Sequence, residues 1–151
     1  MKRQIAKGLA MLMVTLALAA ASAAVANGQG KARLVAHVPF EFVVGDKILG
    51  AGDYRVGAID RSGDAIAIST QGFSAIRLSM PRQRKDGDTA AKLVFHRYGS
   101  SYFLSQVWMA GEVNGRELAR SRQERAIERE LKVASHGRTF ETIEVVALTA
   151  R

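Results

Sequence analysis

The chain has 151 residues, 48% of them hydrophobic, a net charge of +8 and no cysteine. Without cysteine there is no disulfide, no thiol nucleophile and no thiolate-held metal, so the fold must be held by burial alone. A basic balance invites a nucleic-acid reading, but the first residues argue against it.

Lys2, Arg3 and Lys7 precede the uncharged apolar run LAMLMVTLALAAA, which the small and polar SAAVANGQG follows. This is the layout of a secretory signal peptide, with Ala24-Val25-Ala26 as an A-x-A processing site. Cleavage is expected after Ala26. Residues 1–26 are read as the signal, 27–33 as a flexible leader and 34–151 as one β-rich domain. The apolar run is shorter than the roughly 20 residues of a spanning helix, so no transmembrane segment is expected after signal removal. Losing three of the 22 basic residues leaves 19 against 14 acidic ones, a charge of +5. In an exported chain, periplasmic or extracellular, that charge reads first as solubility alone; its functional reading is contact with anionic envelope surfaces or acidic polysaccharides rather than nucleic acid.

From Leu34 the pattern has period two. Val38, Phe40, Phe42 and Val44 share one face, and His37, Pro39, Glu41 and Val43 the other, as in a half-buried strand. Pro39 cannot donate to a ladder and points to an edge strand or a bulge. Gly45-Asp46 turns the chain, and Tyr54, Val56 and Ala58 then alternate with Arg55, Gly57 and Ile59. Residues 60–64 form a turn, 65–69 a short strand with Ile66 and Ile68, and 70–72 another turn. In the strand 73–80, Phe73, Ala75, Arg77 and Ser79 oppose Ser74, Ile76, Leu78 and Met80. PRQRKDGDTA, residues 81–90, is read as a solvated loop, with contact to an anionic surface as the functional alternative.

The densest stretch is LVFHRYGSSYFLSQVW, residues 93–108, which holds the only tryptophan. Gly99-Ser100 suits a two-residue hairpin turn and pairs Tyr98 with Ser101. Leu93, Phe95 and Arg97 then share a face with Tyr102, Leu104, Gln106 and Trp108. Val94, His96 and Tyr98 share the other with Phe103, Ser105, Val107 and Met109. Large apolar groups on both faces make this hairpin central in its sheet.

AGEVNGREL, residues 110–118, reads as a connector. Ser121-Arg122-Gln123-Glu124 fits a capping box, opening a helix over 122–135 with Ile127, Leu131 and Ala134 as a narrow stripe. Glu128 and Lys132 form a favourable i, i+4 pair, and Gly137 sits at the helix stop. The helix is expected to lie on the sheet or over a barrel opening. Ile143, Val145 and Ala147 alternate with Glu144, Val146 and Leu148 in a last strand. Six to eight short strands and one helix in the C-terminal half give an all-β fold, an antiparallel sandwich or barrel.

VPFEFVVGDKILGAGDYRV, LVFHRYGSSYFLSQVW and GRELARSRQER occur in that order in a group of small exported β-rich proteins of environmental bacteria, which this chain resembles over most of its mature length. Members often have Leu-Pro-Ala-Gly where this chain has Leu49-Gly50-Ala51-Gly52, and Leu-Pro where it has Leu118-Ala119. The resemblance implies export and a compact β-rich domain. It carries no assigned activity and transfers no catalytic residue.

The chemistry search selects no reaction. The histidines are His37, His96 and His136, with no metal-ligand spacing. No GxSxG elbow, HExxH, phosphate loop or GxGxxG occurs. Glu41, Asp53 and Glu112 are carboxylates of the right type for glycoside chemistry, but no spacing pairs them. His136 near a helix C-terminus reads as a dipole contact. His96, which should face Phe103, and Arg97, which should face Tyr102, are candidate polar anchors of a binding site, with Tyr102 and Trp108 beside them. The leading expectation is a non-enzymatic exported β-domain, with no metal or cofactor, that binds or packs against an envelope component, anionic ones included. The alternative is a small barrel carrying an apolar ligand, lined by Phe95, Tyr102, Leu104 and Trp108 around a cavity of at least about 300 Å³.

Overall fold

The computed structural model describes residues 33–60, 62–84, 87–134 and 140–150. The expected signal peptide with its processing site at Ala26, the leader up to residue 32, His136 and Gly137 lie outside the described residues. Eleven strand segments and one helix are present among the described residues. In chain order they are β1 (Arg33–Val38), β2 (Phe42–Val44), β3 (Lys47–Leu49), β4 (Gly52–Ala58), β5 (Ala65–Thr70) and β6 (Phe73–Gln83). Then come β7 (Lys92–Tyr98), β8 (Ser101–Trp108), β9 (Asn114–Leu118), α1 (Arg122–Ala134), β10 (Glu141–Val146) and β11 (Leu148–Ala150). The fold is all-β with one helix in its C-terminal half.

The paired strands run in the order β10-β7-β8-β9-β6-β5-β4-β1-β11. Strand β6 divides this path into two layers. Its residues 73–78 pair with β5, and residues 79–83 pair with β9. One layer is thus β11-β1-β4-β5 with the start of β6, and the other is the end of β6 with β9-β8-β7-β10. A strand that crosses between layers is how a sandwich turns its corner. The two ends of the path, β10 and β11, are consecutive in the chain, with only Ala147 between them. Ala147 is buried, and its N–H donates to the Ala91 carbonyl at 2.9 Å.

Alternation decides what lies between the layers. Leu34, Ala36 and Val38 of β1, Tyr54 and Val56 of β4, Ile66 and Ile68 of β5, and Leu93 and Phe95 of β7 point inward and are buried. The rings of Phe40 and Phe42 each meet Phe95 edge-on at 5.2 Å. Close packing of this kind fixes each strand's face, because a one-residue slip would exchange the two sets.

Four expectations change. The strand from Leu34 stops at Val38, because Pro39 cannot extend the ladder, and resumes at Phe42. It is not an edge: β4 flanks β1 on one side and β11 on the other. The loop expected from Pro81 starts later, because Pro81 lies within β6 opposite Arg116. That half of β6 has β9 as its only neighbour on the path, which is where a proline is tolerated. Third, the expected connector contains β9. Fourth, these breaks and additions raise the strand number above six to eight.

The helix lies on the outer face of the β7-β8 layer. Ile127 and Leu131 pack with Phe140 against Val43, Tyr98 and Phe103. Lys132 and Glu128 pair at 3.0 Å as expected. No helix among the described residues is long and apolar enough to cross a membrane.

Candidate functional site

The hairpin has the register its turn dictates. Gly99 adopts a left-handed φ of 60°, Tyr98 pairs with Ser101, Arg97 with Tyr102 and His96 with Phe103. The Arg97 guanidinium stands 5.6 Å from the Tyr102 ring and donates to Glu141 at 3.2 Å and to the Gly99 carbonyl at 2.8 Å. Tyr102 stacks on Phe40 at 4.1 Å. Beyond this point the expected faces fail. Val94 pairs with Gln106 and Phe95 with Leu104, so Ser105 is an extra residue on β8. Such a bulge reverses every side chain after it. Val107 therefore enters the core, and Trp108 moves to the outer face opposite Lys92.

The four candidate residues consequently do not converge. Arg97 and Tyr102 share one face, while His96 and Trp108 lie on the other. The proposed lining of an apolar cavity also divides. Phe95 and Leu104 are core residues, Tyr102 packs against that core, and Trp108 is behind the sheet. His37 and Asp53 form an exposed pair at 2.8 Å, and Glu41 and Glu112 are exposed on separate turns. No three metal-ligating side chains cluster among the described residues.

His96 occupies the helix-covered half of the outer face. Its Nδ1 lies 2.9 Å from Glu124 Oε1, and the Tyr98 hydroxyl donates to the same oxygen at 3.3 Å. All three residues are buried. The expected capping box is therefore half formed. Ser121 Oγ accepts the Glu124 N–H at 3.0 Å, but the Glu124 carboxylate turns to the sheet. Burial first, and the Glu124 charge second, hold the Tyr98 hydroxyl above its ordinary pKa of 10.0. Phe140 covers the imidazole at 4.1 Å. This closed set fastens α1 to the hairpin.

The other half of the outer face is an open groove of about 660 Å³. Val94, Gln106 and Trp108 line it with Arg82, Arg84, Lys92, Glu117 and Glu144. Trp108 Nε1 donates to Gln106 Oε1 at 3.0 Å. The guanidinium of Arg84 stands 4.8 Å from the indole centre. The Arg84 side chain is only 4% exposed. Its Nη2 donates to the Ala90 carbonyl at 3.0 Å, yet Nε and Nη1 have no hydrogen-bond partner among the described residues. The Asp88 carboxylate is 3.7 Å from Nη1, an ion-pair distance beyond hydrogen-bond reach. Lys92 bridges Asp88 and Glu144, each at 3.0 Å. Burial opposes its charge, but those two carboxylates outweigh it and raise its pKa.

Arg84 and Lys92 escaped the sequence reading. Arg84 belongs to the stretch read as a solvated loop, and the density of basic residues was its one signal. Gly115 escaped it too. A Cβ there would collide with Cε3 of the Trp108 indole. The glycine is needed for space, since the ring lies across β9. Gly115→Ala is expected to cost about 1–3 kcal/mol, as overpacking does, and to shift the emission of the sole tryptophan to the red. Unchanged emission and urea midpoint would contradict this close approach. Comparison with family models, with curated proteins and with solved structures gives no match.

Proposed function

We propose that this chain is an exported, non-enzymatic β-domain that binds an anionic component of the cell envelope in the groove beside Trp108. One observation carries the reading: the Arg84 side chain is buried, and two of its nitrogens have no hydrogen-bond partner among the described residues. Buried donors are normally satisfied, and each one left bare costs about 1–3 kcal/mol. An anion in the groove supplies the acceptors. Export rests on Lys2, Arg3, Lys7 and the A-x-A site, and the binding role on this arginine. His96 is withdrawn from the ligand by Glu124, and Arg97 by Glu141, so Trp108 alone of the four original candidates belongs to the groove.

Trp108 makes occupancy readable, because it is the only tryptophan and sits against Arg84. Dextran sulfate is expected to change its fluorescence saturably, and neutral dextran to leave it unchanged. Arg84→Gln should weaken the response about tenfold or more, the scale of a lost charge-assisted hydrogen bond. An equal response in Arg84→Gln would remove the groove as the binding site.

A further inference from the structure

Strand β6 is inverted. Its core-facing positions carry Ala75, Arg77 and Ser79, while its outward positions carry Ile76, Leu78 and Met80. The inward polar groups are bonded: Arg77 Nη2 to the Val44 carbonyl at 3.0 Å, and Ser79 Oγ to the Gly63 carbonyl at 2.6 Å. The outward aliphatics are left in water, Ile76 at 61%, Leu78 at 74% and Met80 at 61% exposure. Their neighbours across β5 are small, Ala67 opposite Ile76 and Ala65 opposite Leu78, so the long side chains project beyond the sheet.

The stripe is continuous with the groove. Positions 76, 78, 80 and 82 alternate along one side of β6, and the last of them is Arg82, which lines the groove with Arg84. Arg33 and Arg55 stand on the same outer side of the β1-β4-β5 layer. Neither has a carboxylate partner among the described residues. Apolar side chains with Arg33 and Arg55 on the same outer side, and leading past the Arg82–Glu117 pair to a buried guanidinium with two nitrogens that lack a hydrogen-bond partner among the described residues, match an interface that is apolar inside and anionic at its rim. That is the chemistry of an anionic lipid bilayer, where aliphatic groups enter the acyl boundary and arginines meet headgroup phosphates. A protein partner would more commonly be met by aromatic anchors, and this stripe has none.

We infer that the outer side of β6 docks on an anionic lipid surface, with Ile76, Leu78 and Met80 inserted and Arg84 taking a headgroup phosphate. The inference rests on the groove reading and names its partner. The test is flotation of the processed chain, its N-terminus checked by mass spectrometry, with phosphatidylglycerol–phosphatidylcholine vesicles and with phosphatidylcholine alone. Binding to the anionic vesicles should be about tenfold stronger or more. The triple variant Ile76→Ser, Leu78→Ser, Met80→Ser should lose about tenfold or more of that binding. It should keep its Trp108 response to dextran sulfate, which shows an intact groove. Equal flotation of the triple variant overturns the inference. No flotation of the unaltered chain, with the dextran sulfate response present, overturns the lipid partner and leaves the groove reading standing. Absence of both in the unaltered chain overturns both.

Discussion

Glu124→Ala is expected to destabilise the fold by about 2–6 kcal/mol, about 1–3 for each of two buried donors left without an acceptor. The carboxylate is 2% exposed and accepts from both His96 and Tyr98. Alanine strands both donors beneath α1. The matched control is Asp53→Ala. Its partner His37 is at nearly the same distance, 2.8 Å against 2.9 Å, but the two side chains are 71% and 78% exposed. Water screens that pair, so its loss should change stability by less than about 1 kcal/mol. Urea midpoints of the two variants make the comparison, and equal shifts would contradict it. The same cluster sets an alkaline limit. Tyr98 has a folded-state pKa above its unfolded value of 10.0. The neutral phenol therefore stabilises the fold fully below pH 10, and that contribution is lost as pH rises toward the folded value. The slope is about 1.4 kcal/mol per pH unit for one such group. Tyr98→Phe should flatten this decline in part, because Tyr54 is also raised by burial and retains its share.

Phe95→Ala is expected to cost about 3–5 kcal/mol, the range for emptying a buried aromatic site. The ring has no exposed surface and is met edge-on by Phe40 and Phe42. Its neighbours belong to different segments, so local collapse cannot refill the space. Tyr102→Ala on the opposite strand should cost less, because that ring is only partly buried, lying between Phe40 and the half-exposed Arg97. A Phe95→Ala variant with an unshifted urea midpoint would mean that the two layers do not share this core.

The hairpin was legible because its information is local. A glycine able to take a positive φ stands between two alternating runs, and that fixes Arg97 opposite Tyr102 and His96 opposite Phe103. Trp108 was misplaced because the bulge at Ser105 leaves no comparable trace. No glycine or proline marks it, and one serine in an apolar run reads as ordinary alternation. Strand β9 was hidden by Asn114 and Gly115, residues that favour turns, although the glycine is there to admit an indole. Ser121 and Glu124 announced a helix start correctly. Where the Glu124 carboxylate goes depends on a sheet 28 residues earlier in the chain. Arg84 was read as solvated for the same reason. Burial of a cation in a polar stretch is decided by the strands that close around it, not by its neighbours in sequence.

The segment 141–150 belongs to both layers at once, β10 to one and β11 to the other. This has a kinetic consequence. Arg33 finds its partner Ala150 only when all the strands between them have been made. Pairings across such a separation form late, because loop closure must precede them. The segment 141–150, synthesised after the strands it pairs with, is therefore the one that covers both β1 and β7. Until it arrives, β1 and β7 each expose an unpaired ladder, and a chain lacking residues 141–150 would leave those two edges available to other strands.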